Sequence, residues 1–312
     1  MNNIKQIEVI YDNRLVGRLA LTKEGLCAFE YSVEWIGSGF SISPFELPLR
    51  NGVFIAKPRP FEGGFGVFDD CLPDGWGLLI LDRYLQQKGI NPRTLTILDR
   101  LALVGSTGRG ALEFRPDHSV VTRQDYVDFE KLALEAEQIL DSDDYTGEGI
   151  EEFQDRGGSP GGARPKIFVR YDDKEWLVKF RAKRDPQSIG IDEYRYSLLA
   201  KQCGIEMPET RLFEDKYFGV ERFDRTSNGK LHVVSMAGLI GADYRLPSID
   251  YTHIFQVCAM LTHSVAELWK VYRLMVFNYL IGNKDDHAKN FAFIYRCLLY
   301  TSDAADDRIS VD

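Results

Sequence analysis

The densest group of reactive side chains lies in GNKDDHAKNF, residues 282–291, where Asp285, Asp286, His287, Lys289 and Asn290 follow a long apolar stretch. Phosphoryl transfer uses a carboxylate to orient or deprotonate the acceptor hydroxyl, and an asparagine five residues on to hold Mg²⁺. Asp285 and Asn290 have that spacing, and Lys289 could neutralise charge on the transferring group. The same residues also fit a solvated helix cap. Asp286 with His287 would make a metal pair, although no second cluster accompanies them. His287 reads as a histidine that packs the loop rather than as a proton shuttle. A second group centres on Lys179 in WLVKF. A lysine between apolar residues on an inner strand costs desolvation unless an anion meets it. The following helix offers Glu193, fourteen residues on, as its support. The other reading is an edge strand whose lysine faces solvent. The third group is the glycine loop GGSPGGARPK, residues 157–166. Gly161, Gly162 and Ala163 would let backbone N–H groups approach a phosphate, with Arg164 and Lys166 adding positive charge. The GxxxxGK[ST] pattern is not met, because Ile167 follows Lys166, so Walker-type nucleotide hydrolysis is disfavoured. Taken alone, the loop also reads as a surface turn.

These residues need elements to position them. IEVIYD and NRLVGRLAL read as a hairpin turned at Asp12-Asn13, and AFEYSVEW continues the alternation. Residues 74–88 form an amphipathic helix with Asp74 as its cap, ended by Gly89 and Pro92. TLTILDRLALVG is a second helix, followed by the STGRG loop and an ALEF strand. From 116 to 156 the chain turns polar and acidic, with a helix over 124–140 and then DSDDYTGEGIEE as a solvated linker. Beyond the glycine loop, IFVRYDDKEWLVKF reads strand–turn–strand, DEYRYSLLAKQCG helix, and RLFEDKYFGVERF a strand pair. Residues 252–282 are helical, with Leu268, Val271, Tyr272, Met275 and Tyr279 as one apolar face. Glycine loop, hairpin, helix, two strands and a helical region is the order of a kinase-like two-lobed fold.

Composition narrows the classes. The chain has 312 residues, 44% hydrophobic and 27% charged, which excludes wholesale disorder. A formal net charge of −9 gives no global attraction to nucleic acid or anionic lipid. Five cysteines, odd in number and without a CxxC pair, read as reduced thiols of a cytoplasmic protein. No run of 18 apolar residues and no signal segment occurs, so neither secretion nor membrane spanning is expected. No GxSxG elbow supports a serine hydrolase, and the remaining histidines, His118, His232, His253 and His263, read as structural.

Together the motifs resemble the HipA family of bacterial toxin-module serine/threonine kinases. The resemblance is collinear over about residues 4–296, through FDDCLPDGWG, GSTGRGALEF, SPGGARPK, WLVKF, DEYRYSLLAK, GVERFDR and GNKDDHAKNF. It implies an α+β chain: a protein-kinase-like two-lobed fold with an incomplete C-lobe, preceded by a small β-rich N-terminal subdomain. The subdomain would take residues 1–120, a linking segment 121–156, the N-lobe 157–225 and the partial C-lobe 226–296. It implies ATP and Mg²⁺ as cofactors. Lys179 would contact the nucleotide phosphates with Glu193 behind it, and Gly161, Gly162, Ala163 and Lys166 would form the phosphate loop. Glu221 and Phe223 would line the adenine hinge, Asp285 would be the catalytic base with Lys289 beside it, and Asn290 a Mg²⁺ ligand. Ser159 falls where family members autophosphorylate; about two added negative charges would expel the loop and switch the kinase off. Family members phosphorylate aminoacyl-tRNA synthetases, glutamyl-tRNA synthetase in the best-known case. A HipB-like helix-turn-helix antitoxin restrains them, so DNA would be reached only through that partner.

The resemblance leaves two other functions open: a non-catalytic kinase-fold binding module, or a kinase acting on a small molecule. The family's second Mg²⁺-binding aspartate, on a segment after the catalytic loop, is expected to be missing. CLLYTSDAADD, residues 297–307, resembles the translation of a sequencing-library adapter, so 297–312 reads as a non-native tail on a truncated fragment. Asp303, Asp306 and Asp307 are therefore not taken as metal ligands, and the fragment is expected to be inactive.

Overall fold

Three hairpins turn by one device. Asp12-Asn13, Asp172-Asp173 and Glu214-Asp215 all hold φ between 46° and 58°, and two successive residues in this region match the right-handed twist of paired strands. The first joins β1 (Gln6–Tyr11) to β2 (Arg14–Leu21), and β3 (Cys27–Tyr31) continues the sheet. The alternation of AFEYSVEW stops at Tyr31, because Ser32 Oγ accepts from Trp35 N at 3.1 Å and opens α1 (Val33–Ser38). After β4 (Val53–Ile55) come three helices: α2 (Gly66–Asp69), α3 (Gly75–Gln87) and α4 (Ile97–Val104). Thr96 and Asp99 close a capping box on α4. Finally β5 (Leu112–Arg115) pairs with β1, giving an antiparallel sheet in the order β4-β3-β2-β1-β5.

The computed structural model describes residues 4–120, 127–142, 145, 147, 149–157, 162–246, 249–283, 285, 287–296 and 299–303. Next come α5 (Phe129–Asp141) and α6 (Gly149–Gly157). Of the acidic DSDDYTGEGIEE expected as a solvated linker, residues 149–152 instead begin α6. Ile150 and Phe153 of α6 are fully buried, as are Leu132, Ala136 and Ile139 of α5. They join Trp76 and Ile80 of α3 and one face of the following sheet in a single core. Burying each large apolar side chain contributes roughly 1.5–3 kcal/mol, enough to fold an acidic segment onto its neighbours.

That sheet, β6 (Lys166–Tyr171), β7 (Lys174–Lys179), β8 (Thr210–Phe213) and β9 (Tyr217–Glu221), runs in the order β6-β7-β9-β8, with α7 (Ile189–Gln202) between its two hairpins. A two-stranded ribbon, β10 (Arg225–Thr226) and β11 (Gly229–Lys230), leads to β12 (His232–Ser235), then α8 (Met236–Ile240), α9 (Tyr251–Thr262) and α10 (Val265–Ile281). β13 (Ala292–Arg296) pairs with β12 and with β14 (Leu299–Asp303). Residues 299–303, expected as part of an unrelated tail, thus form a strand in register with β13.

The apolar face of α10 also differs from expectation. Val271, Leu274, Phe277 and Asn278 are buried, whereas Tyr272 is 46% and Tyr279 84% exposed. This helix carries apolar residues around most of its circumference, so spacing alone does not select the stripe that packs. Val271, Leu274 and Phe277 join a core that continues through Ile254, Val257 and Met236 into the N-terminal subdomain at Phe29 of β3 and Phe68 of α2. The N-terminal subdomain and the helical region therefore share one interior.

Candidate functional site

Lys179 is the last residue of β7 and Lys166 the first of β6, and the two are directly paired across the ladder. Paired residues share a face, and like charges there repel. Both are buried, at 8% and 4% exposure. Compensation comes from α7: Glu193, 2% exposed, sets Oε2 3.5 Å from Lys179 Nζ and Oε1 3.2 Å from Arg164 Nη1. Arg164 in turn pairs with Asp185 at 3.1 Å. Lys179, Arg164 and Lys166 thus bring three cations to one end of this sheet, a charge suited to a further anion. Gly162 completes it. Its φ of +90° suits glycine, and a Cβ there would stand 2.7 Å from Lys166 Nζ. A cavity of about 330 Å³ opens beside the pair, lined in part by Lys179, Glu193, Arg181 and Tyr217. Ala163 is exposed; Gly161 and Ser159 lie outside the described residues.

Gly282, in the left-handed region, ends α10 and releases the chain into the second half of the site. Asp285 N donates to Asn283 Oδ1 at 3.0 Å, and Asn290 Nδ2 donates to the Asp285 carbonyl. His287 accepts the Lys289 N–H on Nδ1 at 3.2 Å and sets Nε2 3.4 Å from Asp285 Oδ1. His287 thus organises the loop, while the Asp285 side chain stays 40% exposed. With Nδ2 committed to the loop, the other polar end of the Asn290 amide is Oδ1, the oxygen a Mg²⁺ ion requires. Lys284 and Asp286 lie outside the described residues, and among the described residues no cluster of three acidic, histidine or cysteine side chains could hold a metal.

Lys289 does not stand open to the site. It is 3% exposed, with Nζ 2.9 Å from Asp69 Oδ2 and 3.2 Å from Asp74 Oδ2, and it lies 4.1 Å from the centre of the Tyr244 ring. Burial alone would depress its pKa, but Asp69, Asp74 and Asp70 outweigh that and push it up, so the ammonium stays charged. Asp74, expected as the cap of α3, makes no side-chain cap bond there. It accepts the Gly162 N–H instead. Its neighbour Asp70 is buried, which raises its pKa, and it accepts from both Ser235 N and Ser235 Oγ at 2.6 Å. These FDDCLPDGW carboxylates were not legible as site residues, because their partners, from Gly162 to Lys289, lie 88 or more positions away. They also link the two halves: Lys166 adjoins Gly162, Gly162 bonds Asp74, and Asp74 pairs with Lys289.

Glu221 and Phe223, expected to line an adenine hinge, sit at and just past the end of β9. Glu221 closes β9 and pairs with Lys174 at 3.0 Å. Phe223 is half-buried against Val233, Ala292 and Ile294. Between and beyond them a largely buried ionic knot ties residues 222–225 to the STGRG loop: Arg222 and Arg225 each lie 2.9 Å from Asp224 Oδ2, which also accepts the Gly110 N–H at 2.8 Å. Both arginines donate to the Gly108 carbonyl, at 3.3 and 2.7 Å. Burial would raise the Asp224 pKa, but the two guanidinium groups override it and hold the carboxyl far below the usual range.

A four-stranded antiparallel sheet with one helix inserted, a lysine–glutamate pair between them, and an Asp–Asn loop after a long helix together define a kinase-like α+β fold. Two family models match the chain, the HipA N-terminal domain over residues 7–115 and the HipA-like C-terminal domain over residues 158–304. The chain belongs to the HipA family. It is similar to Y4dM of Sinorhizobium fredii, named as a kinase, with 25% identity over 78% of this chain and 61% of that protein. It is also similar to the serine/threonine-protein kinase toxin HipA of Shewanella oneidensis, with 23% identity over 85% of this chain and 66% of the toxin. A chain of the Shewanella HipA, HipB and operator DNA complex superposes with a TM-score of 0.67 at 19% identity, covering 95% of this chain and 74% of that one. The chain thus spans less than two thirds of these two curated relatives. Among the described residues no helix is long and apolar enough to cross a membrane.

Proposed function

We propose that the protein from which this chain comes is an ATP- and Mg²⁺-dependent serine/threonine protein kinase, the toxin of a HipBA-like module, acting on an aminoacyl-tRNA synthetase. The observation that carries this reading is the buried Lys179–Glu193 pair, with Lys166 directly across the ladder. Buried lysines side by side repel and favour an anion between them, and a nucleotide's phosphates would supply it. Mg²⁺, when bound, would screen phosphate charge, and Asn290 Oδ1 is the group suited to it. The Asp285 carboxylate, held at its backbone by Asn283 and Asn290, would take the proton from the acceptor hydroxyl. Glu221 and Phe223 would border the adenine.

The likeness to a structure of HipA with HipB and operator DNA supports a helix-turn-helix antitoxin as partner, with DNA reached through it. Ser159 would be the autophosphorylation site of the loop that Gly162 ends. The 312-residue chain would turn over little, because it spans only part of its relatives' length and exposes Trp269, Tyr279 and Leu280 on α10. The test extends the gene to the length of its relatives and follows transfer of labelled phosphate from ATP. Asp285→Ala should lower transfer by about 10²–10⁴-fold while nucleotide still binds. Transfer unchanged in that variant overturns the assignment of Asp285. Nucleotide binding with no transfer by the wild type favours a non-catalytic module, and transfer only to small alcohols favours a small-molecule kinase.

A further inference from the structure

Asp74 occupies the N-cap of α3, a place where an aspartate commonly accepts from its own helix, yet it makes no such bond. Its two oxygens serve two distant loops instead. Oδ1 accepts the Gly162 N–H and Oδ2 lies 3.2 Å from Lys289 Nζ. The next two residues close on the same glycine. Trp76 N donates to the Gly162 carbonyl at 2.9 Å, and a Cβ on Gly75, whose φ is +46°, would collide with that carbonyl. Residues 74–76 therefore hold both polar backbone groups of Gly162. On the other side, Asp69 shares the Lys289 charge at 2.9 Å and fixes it against the N-terminal subdomain.

Building on the kinase reading above, we propose that Asp74 is a positioning residue of the transfer site, joining the phosphate loop to the catalytic loop through Gly162 and Lys289. A glycine-rich loop loses much conformational freedom when it orders around a ligand. Held at Gly162 beforehand, it presents its N–H groups at lower cost. Lys289, one residue before Asn290, is the anchor for the other loop. The N-terminal subdomain thus sets the spacing of the two halves, a role neither half could perform for the other.

Asp74→Ala, Asp74→Asn and Asp82→Asn separate this role from a general loss of stability. Asp82 lies on the same helix and pairs with Arg100 at 2.9 Å, and it serves as the control. In the 312-residue chain, Asp74→Ala should raise amide hydrogen exchange at Gly162 at least tenfold. It should also weaken binding of a fluorescent ATP analogue by about tenfold, the scale of one charge-assisted hydrogen bond. Asp74→Asn keeps an acceptor for the Gly162 N–H but removes the charge beside Lys289. In the extended protein it should leave the KM for ATP within about twofold and lower kcat; Asp82→Asn should change neither. The proposal is overturned if Gly162 exchange and analogue affinity in Asp74→Ala match the wild type. It is equally overturned if Asp74→Asn and Asp74→Ala lose activity only in step with their loss of folded protein, with KM unaltered. Failure of the wild type to bind the analogue counts against the kinase reading instead, and the two failures are distinguishable because Gly162 exchange would still respond to Asp74.

Discussion

Glu46 shows how a single side chain registers the contact between the subdomain and the rest of the molecule. Its Oε2 accepts the Gly66 N–H at 2.8 Å, and Gly66 packs so closely on Gly238 of α8 that a Cβ there would clash with it. Burial is the main cause that pushes the Glu46 pKa up to about 7, with Asp70 and Asp69 adding to it and the Gly66 bond opposing. A carboxyl whose folded pKa exceeds its unfolded value favours folding most when both states are protonated. Stability is then lost as pH rises from about 4.5 to about 7. Glu46→Gln should flatten that part of the curve, read from denaturant unfolding at a series of pH values; an unaltered slope would place its origin elsewhere. His232 differs in kind. Buried, with Nε2 2.8 Å from the Ile42 carbonyl, its pKa falls to about 4, so it remains neutral and structural, as its lack of any motif suggested.

At the scale of elements, the readable features were those with local causes. The three hairpins carry their turn residues between alternating strands, and α4 carries its capping box in four consecutive residues, Thr96 to Asp99. What escaped depends on distant surfaces. Two apolar residues of α6, Ile150 and Phe153, are too few to mark an amphipathic helix in an acidic stretch, and their burial comes from α3 and the N-lobe sheet. The candidate site divides in the same way. Lys179, Glu193, Asp285 and Asn290 lie in motifs whose chemistry is visible at short range, whereas Asp69 and Asp74 gain meaning only from Gly162 and Lys289. The face of α10 gives a direct check on packing. Leu274→Ala should destabilise by about 2–5 kcal/mol, the usual cost of emptying a buried leucine site. Tyr279→Ala, at 84% exposure, should fall within about 0.5 kcal/mol of the wild type. Equal effects in thermal or denaturant unfolding would mean that the periodic stripe of tyrosines packs after all.

For the whole molecule, two ionic ties stand among the contacts that join the N-terminal subdomain to the kinase-like portion, beside the apolar interior the two share. One is the Asp74 tie at the loops. The other is the Arg222–Asp224–Arg225 knot, which fastens the segment after β9 to Gly108 and Gly110. Arg222 and Asp224 are buried and Arg225 is partly so, and the knot's strength lies in its completeness. Asp224 is 3% exposed, and removing it would take the buried counter-charge from two guanidinium groups that also share the more exposed Glu175. Asp224→Asn should therefore destabilise the molecule by about 3–5 kcal/mol, the scale of a broken buried pair. The pH dependence follows from the depressed pKa. The wild-type contribution is present in full above the unfolded value of 3.8 and is lost as pH falls below it. The variant should lack that acid-side loss, so the two stabilities should converge on acidification. Unfolding measured between pH 7 and pH 3 decides the matter: a constant gap between wild type and variant would show that Asp224 acts through its shape, and that its charge is not what binds the subdomain to the kinase core.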